Sequence, residues 1–417
     1  MHLAAINIAD ELIPLWRGSF KCDPADDKST WDWAVLKGNI WKEHGRDVAN
    51  ATPFLPGSFD RPPRNPAEKI NSGYKAWEFL IYLFGMGPAL LYNVLPEKYW
   101  VHFCKLVRGI RLIQQHAIRS DELVEAHQML TEFEYEFEEF YYQRRVDRLH
   151  FMRPWLHGLA HLAPETTTKG PPICSSQWTM ERTIGNLGQE IRSHSQPYAN
   201  LSQRGVRRCQ VNALKIIFPD LDPPVNPFPR GSIDIGIGYV LLTRKERSPH
   251  AMRPCEIQAT ISYISTHGIH ILATECPKIT RWARIRLPNG QVARSAWKED
   301  NMTKKPRRAR NVKIHLNESL AFAEVLFYFQ IVIEGIEKTV ALVSVYGPPH
   351  EEILAKSSQT FYSCIHQGDR ALRIIEVTSI QSVVAMIPHK LPDDEQDRFY
   401  LVEKPGLDIA RMGGAAD

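Results

Sequence analysis

The chain predicts an α+β multidomain protein, with a mainly α-helical N-terminal half followed by a mainly β C-terminal barrel or sandwich domain. Three observations carry this. Between 71 and 218 apolar residues recur at helical spacing. Between 234 and 405 they fall into short β-branched or aromatic runs. A proline cluster, Pro219, Pro223, Pro224, Pro227 and Pro229, separates the two regions, stopping a helix and stiffening a linker. The expected organisation is an irregular Trp/Pro-rich segment at 1–70, a helical domain at 71–222 and a linker at 223–233. A basic β-rich domain at 234–405 and a flexible tail at 406–417 complete it.

In the first segment Trp16, Trp31, Trp33 and Trp41 are interleaved with Gly and Asp. The proline-rich stretch from Pro53 to Pro66 reads as extended chain wrapped on the surface. Helices are expected at 74–94 (broken near Gly-Pro), 97–116, 120–140, 151–163, 176–192 and 200–217. The clearest starts at Ser120 as N-cap, and Asp121 and Glu122 follow in the first turn. Its stripe, Leu123, Ala126, Leu130, Phe133, Phe137 and Phe140, advances by 3, 4, 3, 4, 3. Residues 120–140 carry eight acids and no Lys or Arg, which reads as a solvated face rather than a site.

Strands are expected at Tyr239–Thr243, Arg281–Leu287, Val292–Trp297, Val312–Leu316, Glu324–Ile333, Val340–Tyr346, Leu372–Val377 and Ser382–Ile387. Pro288-Asn289-Gly290 marks a hairpin between two of them.

Composition bounds the class. With 43% hydrophobic and 24% charged residues, the 417-residue chain is neither disordered, collagenous nor a coiled-coil rod. Met1–Leu15 lacks a basic n-region and carries Asp10 and Glu11, so no secretory signal is expected there. The longest uncharged stretch, Phe79–Leu95, is broken by Gly85, Gly87 and Pro88, so no membrane span is expected. Seven scattered cysteines read as reduced thiols in a reducing compartment.

Several groups have spacing that supports chemistry. His157 and His161, four apart on an expected helix, project from one face as a metal requires; a structural pair is the alternative. Cys22 with Asp26 offers a mixed partner site, though Lys-Cys-Asp-Pro-Ala-Asp-Asp reads equally as a turn. Glu181, followed by Arg182, is either a functional carboxylate or half of a surface ion pair. No Cys-x-x-Cys, Gly-x-Ser-x-Gly or P-loop pattern occurs. Between 277 and 315 twelve Lys and Arg face only Glu299 and Asp300, a local charge of +10. Arg281, Arg284, Arg286, Lys304, Lys305, Arg307, Arg308 and Arg310 are therefore candidate DNA contacts. Lys304–Arg310 also resembles a nuclear localisation run.

Read together, these segments resemble a known family. Residues 1–222 are similar to the C-terminal half of fungal Plavaka-type transposases, relatives of the CACTA (En/Spm-like) transposases. The match runs through Leu15-Trp-Arg-Gly-Ser-Phe-Lys-Cys22, Leu55-Pro-Gly-Ser-Phe-Asp-Arg-Pro-Pro-Arg-Asn-Pro-Ala-Glu-Lys69, Tyr142-Gln-Arg-Arg-Val-Asp-Arg-Leu-His-Phe151 and Ser176-Gln-Trp-Thr-Met-Glu-Arg-Thr-Ile-Gly-Asn-Leu-Gly-Gln-Glu-Ile191. Residues 230–410 resemble the β-rich domain that follows in many such proteins, through Arg281-Trp-Ala-Arg-Ile-Arg-Leu-Pro-Asn-Gly-Gln-Val-Ala-Arg-Ser-Ala-Trp297 and Val383-Val-Ala-Met-Ile-Pro-His389.

The resemblance implies an insertion and the end of an RNase H-like core, whose two metal ions sit on two aspartates and one glutamate. It makes Glu181 the third carboxylate, and His157 and His161 the histidine half of a structural zinc site. The two aspartates are expected upstream of Met1, and Asp10, Asp23, Asp26 and Asp27 match neither. One ligand of three cannot hold two Mg²⁺, so magnesium is expected only if the aspartates are supplied. The expected product is a truncated, nuclear, DNA-binding remnant, inactive alone. A chromatin or histone-tail reader is the alternative, with Trp282 and Trp297 as pocket aromatics unless they are core residues. A third reading is an open reading frame without function, prone to aggregate.

Overall fold

The computed structural model describes residues 2–191, 193, 195–221, 228–275, 278–303, 306–316, 319–392 and 394–406. The chain is α+β, with helices through 2–221 and an antiparallel sheet region after Ile233.

The segment expected to be irregular is built around helices. A π-helical turn at Leu3–Asn7 runs into α1 (Ala9–Trp16), and α2 spans Gly38–Asn50. The tryptophans explain the difference. Trp16, Trp31, Trp33 and Trp41 are all buried, so this stretch lies within the core rather than on the surface. Short turns α3 (Pro66–Lys69), α4 (Ala76–Phe79) and α5 (Gly87–Leu90) follow. A π turn, Leu80–Met86, joins α4 to α5 and is wholly buried. Pro88 sits in the first turn of α5, where its missing N–H costs no hydrogen bond.

Two long helices, α6 (Glu97–Ile113) and α7 (Ser120–Phe137), form the wall behind the tryptophans. Ala126, Leu130, Phe133 and Phe137 are buried as the stripe requires. The cap differs from expectation. Ser120 is the first helical residue, and Glu122 Oε2 accepts from the Arg119 backbone N–H at 2.9 Å. Next come α8 (Pro154–Lys169), α9 (Pro172–Ser175), α10 (Trp178–Glu190) and α11 (Pro197–Ile217).

One buried ion pair ties the start of this region to its middle. Arg148 donates to both Asp26 oxygens at 2.8 and 2.7 Å, and Trp31 Nε1 donates to the same carboxylate at 3.2 Å. Its guanidinium also lies 5.2 Å from the Trp33 ring centre. Burial alone would push the Asp26 carboxyl up; the hydrogen bonds from Arg148 and Trp31 outweigh it and hold it below the usual range.

The second half forms two sheets. The nine-stranded sheet runs β1 (Ile233–Gly236), β2 (Tyr239–Lys245), β3 (Trp282–Arg286), β6 (Ser319–Ile333), β5 (Asn311–Leu316) and β10 (Ile380–Val383). The short β4 (Val292–Arg294) pairs with β3, while β7 (Ile336–Val345) lies between β6 and β9 (Leu372–Glu376). The long β6 takes β5 and β3 along one edge and β7 along the other. Of the expected barrel or sandwich, a closed barrel is not formed: among the described residues the sheet stays open. A helix that carries no strand-like alternation, α12 (Pro254–Ser265), covers one face over Phe327, Phe329, Ile331 and Ile333.

Two expected strands are corrected. Val292–Trp297 ends as a strand at Arg294, and Trp297 lies on α13 (Ala296–Asp300). Ser382–Ile387 is not one strand. It divides between β10 and β11 (Ala385–His389), which belong to different sheets because Val384 turns aside to bond Asn311 O. The second sheet orders β11, β12 (Arg398–Val402) and β8 (Ser363–Ile365), with α14 (Glu351–Lys356) preceding it. Its inner residues Phe361, Ile387, Tyr400 and Val402 share one continuous core with Trp16, Phe84 and Phe103.

Among the described residues no helix is long and apolar enough to cross a membrane. The expected linker residues 223–227 and the tail 407–417 lie outside the described residues.

Two outcomes follow. Arg148→Ala leaves buried Asp26 only Trp31 and Arg145, the latter at 3.3 Å, so urea unfolding should show a loss of about 1–3 kcal/mol; a loss below about 0.5 kcal/mol would refute the role given to the pair. Glu11 gives a pH signature. It is fully buried, accepts from Trp155 Nε1 at 2.6 Å, and burial pushes its carboxyl up to about 8 despite that bond and Arg153. The folded state therefore keeps this proton from about pH 4.5 to 8, while the unfolded chain releases it. Stability attributable to Glu11 falls with rising pH through that window and levels off above about 8, at roughly 1.4 kcal/mol per pH unit. Glu11→Gln should remove that slope in unfolding free energies measured from pH 5 to 8; parallel wild-type and variant curves would contradict it.

Candidate functional site

Glu181 sits in the first turn of α10, where a carboxylate suits the helix dipole. Its side chain is exposed, and none of the described side chains of α10 is buried. The helix is anchored at its start, where Trp178 packs edge-to-face on Trp77 at 5.5 Å. Trp178 also lines a half-open apolar cavity of about 280 Å³ with Leu80, Ile110, Ile113, Leu162 and Ile173. From there Met180, Ile184 and Leu187 recur at helical spacing along α10. Met180 and Ile184 are 60% and 56% exposed. The next helix, α11, also has no buried residue, and Val206, Leu214, Ile216 and Ile217 face outward. Beside Glu181 there is thus an uncovered apolar surface.

α11 carries a second feature that the sequence reading passed over. Arg204, Arg207, Arg208 and Lys215 lie along it without any acid. Charge counted per helix would have found them. Arg208 pairs with Glu190 at the end of α10.

His157 and His161 are brought together on α8. Their Nε2 atoms are 3.0 Å apart, and His157 Nδ1 lies 3.1 Å from Glu134 Oε1 on α7. Cys22 does not complete a site with Asp26. Its Sγ points to the Asp26 backbone oxygen at 3.8 Å, within a turn, and the Asp26 carboxylate is taken by Arg148. Among the described residues no three His, Cys, Asp or Glu side chains are placed to hold one metal ion.

The basic run looks different once folded. Arg281 donates to Glu246 at 3.0 Å and covers the Trp297 ring at 4.8 Å. Arg307 donates to the carbonyls of Leu55 and Asp60, each at 2.7 Å, and to Pro56. Arg308 lies over Phe54 at 4.5 Å. Arg310 donates to Glu299 at 2.8 Å and to Asp300 at 3.1 Å, and it reaches Glu324 at 3.2 Å. Its charged form is favoured: burial opposes it, but those carboxylates prevail and raise its pKa. Arg284 and Arg286 alternate with buried Ile285, and Arg286 lies over Phe228 at 5.3 Å. Lys304 and Lys305 lie outside the described residues. Much of the +10 count is therefore spent inside the protein, partly on acids that the 277–315 window omits.

The same geometry bears on a reader-type aromatic pocket. Trp282 is buried in the sheet core, and one face of Trp297 is occupied by Arg281. Comparison with family models, with curated proteins and with solved structures returned no match.

Arg310→Ala removes one of two arginine partners of Glu299, which is 2% exposed and keeps Arg294 at 2.9 Å. The expected loss is about 1–3 kcal/mol in chemical unfolding. An unchanged midpoint would return Arg310 to the list of free, ligand-facing cations.

Proposed function

We propose that the protein is a transposase-derived DNA-binding protein, with Glu181 as one carboxylate of a two-metal site whose two aspartates are not among residues 1–417. The observation that carries this is the uncovered apolar stripe on α10, the helix that holds Glu181. The resemblance to Plavaka-type transposases implies an RNase H-like core, in which such a helix lies on a sheet bearing the aspartates. No strand occurs among the described residues before Ile233, so a sheet of that kind would have to come from elsewhere. An exposed apolar helix face flanked by a carboxylate is what such an arrangement leaves behind.

Glu181 together with two aspartates would hold Mg²⁺, which would supply activation of the attacking oxygen and stabilisation of the leaving one. Glu181 alone supplies one ligand, so residues 1–417 do not cut DNA by themselves. DNA contact falls to α11, through Arg204 and Arg207, with Arg286 on β3. A nuclear location belongs to the same reading. The covered faces of Trp282 and Trp297 favour it over a histone-tail reader.

The test is fluorescence anisotropy with a labelled duplex of about 20 base pairs, titrated from 50 to 200 mM salt. Binding should weaken steeply with salt, and Arg204→Ala with Arg207→Ala should lower the log–log slope by about 1.8. A wild-type slope near zero, or no change in the double variant, would sink the α11 assignment. In parallel, the purified chain with Mg²⁺ should leave the duplex intact. Cleavage that disappears in Glu181→Gln would overturn the claim of inactivity.

A further inference from the structure

We propose that Ile237, at the apex of the β1–β2 hairpin, is an apolar wedge that enters a base step of a bound DNA duplex, with Arg286 on a phosphate beside it. The inference rests on the DNA-binding reading above. What the geometry adds is the element that enters a groove, and a distortion of the duplex that the reading does not contain.

Gly236 pairs with Tyr239, so Ile237 and Gly238 are the two central residues of the turn. Both have positive φ, 52° and 82°, as a type I′ turn demands. Asparagine, aspartate or glycine normally takes the first of these places, because a β-branched side chain is strained at positive φ. The β6–β7 hairpin offers a comparison within the chain. Its central residues, Glu334 and Gly335, lie at 52° and 79°, and the residue in the first place is polar. Ile237 is 86% exposed, so no burial offsets its strain. Strain held at an exposed apolar side chain points to a use outside the fold.

The hairpin is braced below its apex. Asp234 Oδ1 accepts from the Gly236 N–H at 2.9 Å. The Tyr239 hydroxyl lies against the carbonyls of Thr378 and Ile380, at 3.0 and 2.8 Å. A Cβ on Gly238 would stand 3.4 Å from Pro288, so the turn rests on the neighbouring β3–β4 turn. A side chain that parts stacked bases has to be held from behind, and these contacts hold it.

Size and charge select the occupant. Among the described residues from 228 to 243, Ile237 is the one exposed large apolar side chain, so the apex is a single residue wide. That is far too little for a protein interface. It matches a base step, into which single Ile, Leu or Met side chains insert. Arg286 pairs across the strands with Val240, three positions beyond Ile237 and about 10 Å along the strand. Its guanidinium is seated on Phe228 at 5.3 Å. The segments that brace the apex, Pro288–Gly290 and Thr378–Ile380, contain no acid, and Asp234 is bonded within its own turn. A cation beside an apolar apex, with no carboxylate from the bracing segments, suits a phosphate backbone.

The experiment uses the full chain and the duplex of the salt titration. The duplex now carries 2-aminopurine at pyrimidine–purine steps, which open most readily, and a dye at each end. Wild type is compared with Ile237→Asn and Ile237→Leu. Wild type should raise the 2-aminopurine emission and bend the duplex by at least about 20°, read as energy transfer between the dyes. Ile237→Asn should lose both changes and Ile237→Leu should keep them, while all three chains share one salt slope. Ile237→Asn should not lower the thermal midpoint, because asparagine tolerates positive φ. A lower midpoint would assign Ile237 to the fold and overturn the wedge. Wild-type binding that leaves the duplex straight and stacked, or an asparagine variant that distorts it as wild type does, overturns the wedge while DNA binding stands. A wild-type salt slope near zero fails the DNA-binding reading itself, and the wedge falls with it.

Discussion

The buried pair between Arg148 and Asp26 is the constraint on which the helical region depends. It joins residues 122 positions apart and brings two stretches of little regular structure onto one point. Trp31 donates to the same carboxylate, and Trp33 lies against the same guanidinium. Around them Trp16 bonds the Tyr141 hydroxyl at 3.0 Å and packs edge-on against Phe103. Taking two charges out of water is costly, and two apolar residues of equal volume would serve stability as well or better. What the pair supplies is direction: a bidentate fork has one geometry, whereas apolar contacts tolerate many. The turn at 146–151 is set by it, and that turn delivers the chain into α8, where the two histidines stand. The position of the two histidines relative to α7 is in this sense a consequence of Asp26.

The cations teach the opposite lesson. A count along the chain treats charge as available unless its neighbour cancels it. Folding brings Glu246 to Arg281 and Glu324 to Arg310, from 35 and 14 positions away. Arg307 has no carboxylate within hydrogen-bonding distance among its contacts and instead closes on three carbonyls of the 55–60 loop, joining the sheet region to the helical region. Burial pulls its pKa down, which is the cost of using a guanidinium as a clamp. Even on α11, a helix with no acid of its own, Arg208 pairs with Glu190 at the end of α10.

How much could be read in advance follows the same division between local and non-local causes. The stripe of α7 was legible because a helix repeats its environment every 3.6 residues, and the Pro-Asn-Gly turn between β3 and β4 because its chemistry is local, with Gly290 at positive φ. The Trp-rich start was not legible. Its tryptophans are buried by partners at 99, 103, 141 and 148, so nothing in their own spacing reports it. Barrel closure was illegible for the same reason: whether the edges meet depends on pairings between distant strands, and β10 and β11 divide one apolar run between two sheets. At the site, the histidines show in sequence by their four-residue step, and Glu181 only through resemblance. Glu134 lies 23 positions from His157 on another helix, hidden within the acidic face that read as merely solvated.

The contrast between the two ends of the helical region bears on what the molecule is for. Around Trp16, Trp33 and Tyr99 large side chains are fully covered, whereas α10 and α11 bury nothing. Isolated helices of 13 and 21 residues gain little from propensity, and α10 contains Gly185, Asn186 and Gly188, each worse than Ala in a helix interior. Most helical stability comes from packing an apolar face. α10 thus combines an unfavourable sequence with a stripe that the described residues leave uncovered. Gly185 and Gly188 sharpen this: a Cβ at either would meet nothing within 4 Å, so no contact present explains why they are glycine. Glycines at such spacing allow a backbone to approach closely.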